Sequence, residues 1–537
     1  MALRPNFARA CFPLCLLVLG GSIGCGSNAG PTTTGTGGST SGNGGTATGG
    51  GPSPGTGGSA TGGSATGGTN ATGGGTGGTA TGGTGTGTGG SGTGGAAGAT
   101  GGAAGNPCAN IDATLPKEPT IPPACTTLMA SFAIVAGTPP SESSLDTSRI
   151  QTALNGCASG QAVRLVTNGS SNGFITGPLN LPNGVSLWID SGVTLFGTRD
   201  PNVYAQASAL ISIRNSNSGV YGMGAIDGQG GEPQIGSTMS SWDINGGGGD
   251  NPSLIQALNA TNVTLYQITL HNAPKFHIQM GAAGFVVWGI TIKTPSAATN
   301  SAGTKLTPSS AHNTDGLDPG ESASNGFIVY NQISDGDDHI AIKGGTSIKN
   351  LTIAHNHFEA GHGMSIGSET NGGVSGVTVC DLSIDGTNTG LSGGSSNGIR
   401  IKSDSSRGGV VKDIFYGDVC TRGLTNPIII TPKYSSSTGS EIPQYDGVTI
   451  QNFRSLSTST TPKLTLLGYS ATYPLGLTLD NVVVDDITSA NVTSSYANVT
   501  LGPGNVNFTP SGKNVTVTNE IAGSSTPNDC TGKWVTF

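Results

Sequence analysis

The chain has 537 residues, of which 93 are glycine, 10% are charged and 34% are hydrophobic, with a formal net charge of −8. That acidic balance argues against a general nucleic-acid binder, which carries a basic face, yet it leaves room for a local cationic patch on an anionic ligand, because salt keeps fields short-ranged. The glycines crowd into one early stretch, so the averages mix two unlike parts.

Residues 1–25 have the pattern of an export signal. Arg4 and Arg9 make a positive start, and the mostly apolar run from Cys11 to Ile23 is too short for a standard membrane span. It ends in Ser22-Ile23-Gly24-Cys25, which resembles a bacterial lipobox and implies lipidation of Cys25. A lipid there would hold the protein on a membrane without crossing it; the alternative is an ordinary cleaved signal. Either way the protein is expected to be exported, secreted or tethered at the bacterial cell surface or outer membrane. Residues 26–106 are almost wholly Gly, Thr, Ser and Ala. Nothing there can bury enough apolar surface to offset chain entropy, so a disordered linker is expected.

Beyond the signal lie Cys108, Cys125, Cys157, Cys380, Cys420 and Cys530, an even set with no zinc-ligand spacing. Disulfides are expected, with Cys125–Cys157, Cys380–Cys420 and Cys108–Cys530 as the first pairings to consider. From residue 107 to 537 short β-rich runs recur, among them Asn262-Val263-Thr264-Leu265, Phe285-Val286-Val287-Trp288, Phe327-Ile328-Val329-Tyr330 and Leu351-Thr352-Ile353-Ala354. Gly, Asn and Asp punctuate them. Several repeat at 23 residues, which suggests an all-β solenoid whose coils stack as parallel strands. Asn-Gly pairs at 183–184 and 325–326 keep a sandwich of hairpins as the competing fold. One helical stretch, 148–155, is suited to cap the N-terminal end of the stack.

Four polar motifs interrupt the strands: Asn313-Thr314-Asp315-Gly316, Gly336-Asp337-Asp338-His339, Gly361-His362-Gly363 and Arg400-Ile401-Lys402. Asp338 follows Asp315 by 23 residues and His362 follows Asp338 by 24, so stacking would bring Asp315, Asp337, Asp338 and His362 together. Arg400 comes 38 residues after His362, as if one coil were enlarged, with glycine-rich Gly390–Asn397 as the insertion. Hydrolysis of a glycosidic bond needs one protonated and one ionised carboxyl group. Crowded carboxylates are expected to raise at least one pKa. Arg400 and Lys402 flank one Ile and so face one side, as suits a carboxylate-bearing substrate. Taken singly the motifs have plainer readings: an Asx turn, a solvated or calcium-binding acid pair, a loop, an exposed strand face.

In this order, and with the surrounding Asn313-Thr314-Asp315-Gly316-Leu317-Asp318-Pro319, Gly361-His362-Gly363-Met364-Ser365-Ile366-Gly367 and Asn397-Gly398-Ile399-Arg400-Ile401-Lys402-Ser403, the motifs resemble the signature of the polygalacturonases, glycoside hydrolase family 28, nearest to bacterial endo-acting members. The resemblance runs from about Cys125 to Asp446. It implies a right-handed parallel β-helix and inverting hydrolysis of pectate by a monomer, with no cofactor and no metal. It further implies Asp337 as general acid, Asp315 and Asp338 as the groups that hold and activate water, and His362 as support for the acid. Arg400, Lys402 and Tyr434 would bind galacturonate, and Asn313 and Asp318 would contact substrate. His339 departs from the Cys or Asn that many relatives have after the acid pair, and the insertion departs as well. Rival readings are an exo-acting enzyme, a rhamnogalacturonan or xylogalacturonan hydrolase, a calcium-dependent pectate lyase, and a non-catalytic glycan-binding solenoid.

Overall fold

A computed structural model describes residues 106–387, 396–457, 461–520 and 525–535. The expected export signal, Cys25, the expected linker as far as residue 105, and residues 390–395 of the glycine-rich insertion lie outside them. Within the described residues each strand pairs in parallel with the strand one coil before it, so the architecture is a parallel β-helix. Hairpins do not build it, because successive strands occupy different faces and meet their partners only after a full coil.

Alternation along each short strand decides what faces inward. Leu317 stacks on Ile340, then Met364, Ile399, Ile428 and Leu464, and all six are fully buried. Such columns form one continuous aliphatic core, and truncating a member to Ala typically costs about 2–5 kcal/mol. The intervening residues face outward in matching columns: Asp318, Ala341, Ser365 and Arg400 in one, Lys343, Gly367 and Lys402 in the next. The coil-to-coil step is 23 residues from Leu317 to Ile340, 24 to Met364, 35 to Ile399 and 29 to Ile428, yet the stacking does not shift.

One corner of each coil is turned by a single left-handed residue. Gln267, Tyr330, His355, Asp381, Asp418, Asn452 and Asn481 all have φ between 51 and 60°. Asp and Asn tolerate that region through local side-chain hydrogen bonds, and the Asn481 amide donates to Asn452 at 2.9 Å. Tyr330 and His355, less suited to it, stack face to face at 4.8 Å. The expected helix spans Thr147–Gly156 and seats Ile150 and Leu154, both fully buried, in the aliphatic core as an end cap requires.

The disulfides correct two of the three expected pairings. Cys125 bonds Cys157 as expected, but Cys108 bonds Cys380 and Cys420 bonds Cys530. Register is the reason: Cys380 stacks on Gly417, whereas Cys420 stacks on Ser383, so the two cysteines stand three positions apart on neighbouring coils. Each takes a partner from a segment that flanks the stacked coils instead. Residues 107–118 run back along the outside of the stack. Cys108 and Ile111 pack on Val329, Ala354 and Cys380, Asp112 pairs with His355 at 2.7 Å, and Glu118 accepts from the Tyr266 hydroxyl at 2.7 Å. From the other end Lys533 pairs with Asp381, which also binds His355. Replacing both Cys108 and Cys380 with Ser is expected to free this arm. Limited proteolysis should then cut between residues 107 and 123 in the variant well before it cuts the wild type; equal protection would show that packing alone holds the arm.

Candidate active site

The acids stand where coils turn from one face to the next. Asp315 precedes the strand Leu317–Pro319, Asp337 and Asp338 precede Ile340–Ile342, and His362 precedes Met364–Ile366. Because those strands are stacked neighbours, the stack gathers four residues that the chain spreads over 48 positions. Glycine is required around them by close backbone approach. A Cβ on Gly363 would lie 2.3 Å from the Gly398 carbonyl of the next coil, and one on Gly336 would lie 2.1 Å from that of Ala311.

Three ion-pair groups result, one of them Lys343 with Asp315 and Asp318. Asp338, almost fully buried, accepts from Arg400 Nη1 at 3.0 Å, Lys402 Nζ at 2.7 Å and Ser365 Oγ at 2.8 Å. Asp337 instead meets His362, whose Nδ1 lies 3.0 Å from its Oδ1. Asp337 and His362 are also the accessible members: their side chains are 28% and 45% exposed, against 3% for Asp338 and 6% for Asp315. Asp337, Asp338 and His362 each present one atom within 4.8 Å of the others. That is compact enough for a single sugar linkage to meet all three.

Burial and neighbours split the carboxyl groups. Burial pushes Asp315 up, with Lys343 opposing and Asp337 and Asp338 adding to the rise. It pushes Asp318 and Asp335 well above the usual carboxylate range. Asp337 goes the other way: burial raises it, but the hydrogen bond and charge of His362, with Lys402 and Lys343, outweigh that and bring it down to about 2. His362 is raised, chiefly by its bond to Asp337. The expected raised acid therefore exists, but it is not Asp337. In the free protein the proton of the accessible pair rests on the imidazole.

The family model described as Glycosyl hydrolases family 28 matches residues 157–510. The chain belongs to glycosyl hydrolases family 28. A polygalacturonase from Ralstonia nicotianae is 42% identical over 427 residues, which cover 68% of this chain and 79% of that one. An endo-polygalacturonase from Pectobacterium parmentieri is 38% identical over 396 residues, covering 69% and 89%. The solved polygalacturonase from Erwinia carotovora ssp. carotovora matches with a TM-score of 0.56 at 34% identity, over 77% of this chain and 99% of that one. This family 28 chain is thus a glycoside hydrolase, and its parallel β-helix is the fold of that relative.

The remaining expected residues of this family 28 enzyme fall around the acids. Tyr434 is exposed, and its ring lies 5.4 Å from the Arg400 guanidinium and 4.9 Å from the Lys402 ammonium. Arg400 and Lys402, expected to take a substrate carboxylate, already hold Asp338 from their other side. Asn313, left-handed at φ 55°, donates to the Gly246 carbonyl at 2.9 Å and so braces a neighbouring loop. Asp318 is buried beside Asp315 and makes no hydrogen bond among the described residues. His339 is buried, stacks on Phe358 at 4.6 Å and accepts from the Gly363 amide at 3.0 Å; burial lowers it to about 4, so it is a neutral prop beneath the site.

Sequence reasoning missed Lys343, Ser365 and Asp335. For Lys343 a signal was present: Ile342 separates it from Ala341 as Ile401 separates Lys402 from Arg400, on strands of the same column. Ser365 faces Arg400 in register and could have been found the same way. Nothing in the sequence marks Asp335, whose carboxylate accepts from the Asp337 amide at 3.1 Å.

Proposed function

We propose that this enzyme hydrolyses α-1,4 linkages between galacturonate residues of pectate, within the polymer, with inversion. The observation that carries this reading is the accessible Asp337–His362 pair beside Arg400 and Lys402, with exposed Tyr434 over both cations. Asp337 gives a proton to the glycosidic oxygen as its bond to the anomeric carbon breaks. A water on the opposite side forms the new bond and passes its proton to a carboxylate. Asp315 suits that last role, because the carboxylate of Asp338 is already engaged by Arg400, Lys402 and Ser365 and orients rather than accepts. Entry of substrate displaces water from the pair, which favours its neutral form and moves the proton from His362 Nδ1 to Asp337 Oδ1. Arg400, Lys402 and Tyr434 receive a galacturonate carboxylate and ring. Endo action is supported by the Pectobacterium relative, which is named for it.

Digestion of polygalacturonate tests the whole. Saturated oligomers of mixed length should appear first, with the anomeric configuration inverted by proton NMR and no loss of rate in a chelator. Monomer or dimer alone would mean exo action, and ultraviolet-absorbing unsaturated ends would mean a lyase. Binding without new reducing ends would leave a glycan-binding solenoid.

A further inference from the structure

Lys343 lies one residue past the strand Ile340–Ile342 and reaches back across to the preceding coil. Its ammonium is 2.9 Å from Asp315 Oδ2 and 2.9 Å from Asp318 Oδ2. Only the contact with Asp315 has hydrogen-bond geometry; that with Asp318 is an ion pair. The ring of Phe276 lies 4.2 Å beneath the same ammonium and fixes it from the far side. Among the described residues no other cation comes within ion-pair distance of either acid, since Arg400 and Lys402 are committed to Asp338 and His362 to Asp337.

Charge makes this contact necessary. Asp315 and Asp318 are buried three positions apart at one coil edge, and Asp337 and Asp338 add to the negative field around Asp315, as Asp338 does around Asp318. Other titratable groups close by are His277, whose imidazole burial keeps neutral, Lys275, which lies 5.1 Å from the Phe276 ring, and Glu369, which the Lys343 charge helps to lower while its own ion pair is with Arg407 at 2.9 Å. Without a cation, two adjacent buried carboxylates would share a proton rather than both ionise. A protonated Asp315 cannot take the proton of the attacking water.

We propose that Lys343 is a positioning residue that keeps Asp315 ionised and aimed at the water by pinning Asp315 and Asp318 to one ammonium. This rests on the proposed hydrolysis, in which Asp315 is the base. An opposite charge at this distance moves a carboxyl by about 1–3 pH units, so the pH profile is the readout. In Lys343→Met the acidic limb of kcat is expected to move up by about one pH unit or more, with kcat roughly tenfold lower at the wild-type optimum. The KM for polygalacturonate should barely change, and Lys343→Arg should restore the limb. An unmoved limb overturns the proposal. So does a raised KM with kcat unchanged, since Lys343 would then grip substrate. Should circular dichroism show the Met variant unfolded, Lys343→Met with Asp318→Asn removes a buried charge together with its partner, and the limb is read there. A wild type inactive on polygalacturonate would sink the hydrolase reading itself; an active wild type whose variant keeps its limb sinks only the role of Lys343.

Discussion

Asp337→Asn is expected to lower kcat on polygalacturonate by about 10²–10⁴-fold, the usual worth of a placed general acid. The substitution is nearly isosteric and keeps an acceptor for the Asp338 amide, which Asp337 Oδ1 binds at 3.0 Å. The position is partly exposed, so folding should survive. Arg400, Lys402 and Tyr434 are untouched, so KM and retention on pectate should stay close to wild type. Loss confined to kcat would locate the effect in the transition state. Initial rates of reducing-end release decide the matter: a variant that keeps more than about a tenth of the wild-type kcat, in the range that positioning effects alone can produce, would move the acid's role to another residue.

The second large effect concerns pH. His362 is raised above the usual imidazole range by its bond to Asp337, against burial, while Asp337 is brought down to about 2. The pair therefore holds one proton from roughly that lower value up to the raised imidazole value, and titrates as a unit. The sign follows. Its contribution to native stability is present below the ordinary imidazole range and is lost as pH climbs through the raised value. At the acid end it is lost as pH falls towards about 2. Activity should share the upper limit, falling about tenfold per pH unit once the proton leaves. His362→Asn takes away the proton store and lets burial raise Asp337 again, so Asp337 must carry the proton itself. The basic limb of kcat should then move to lower pH by about one unit or more, with a rate near neutrality roughly 10–100-fold below wild type. A basic limb that stays in place would show that the proton comes from elsewhere.

The stacked architecture and the meeting of Asp315, Asp337, Asp338 and His362 were legible in the sequence because both depend on one quantity, the repeat length. Residues a coil apart must share a face, and the motifs kept that spacing. Arg400 was placed correctly despite its longer step, because Arg400-Ile401-Lys402 alternates about a buried Ile. What could not be read were contacts that depend on reach rather than register. Lys343 bridges Asp315 and Asp318 through a long flexible stem. The lowering of Asp337 and the raising of His362 turn chiefly on one 3.0 Å contact between them, with Lys402 and Lys343 adding to the first. The disulfides of Cys380 and Cys420 escaped for the same reason: their partners lie in flanking segments that belong to no repeat.

The unequal steps between coils carry a wider consequence. Moving from 24 residues to 35 leaves Ser365 level with Arg400, so the added chain does not disturb the stacked positions. Chemistry and recognition are therefore separately variable in this scaffold. Loops at the rim can lengthen, shorten or change composition, and with them the sugars and decorations accommodated, while the bond-breaking groups below keep their mutual geometry.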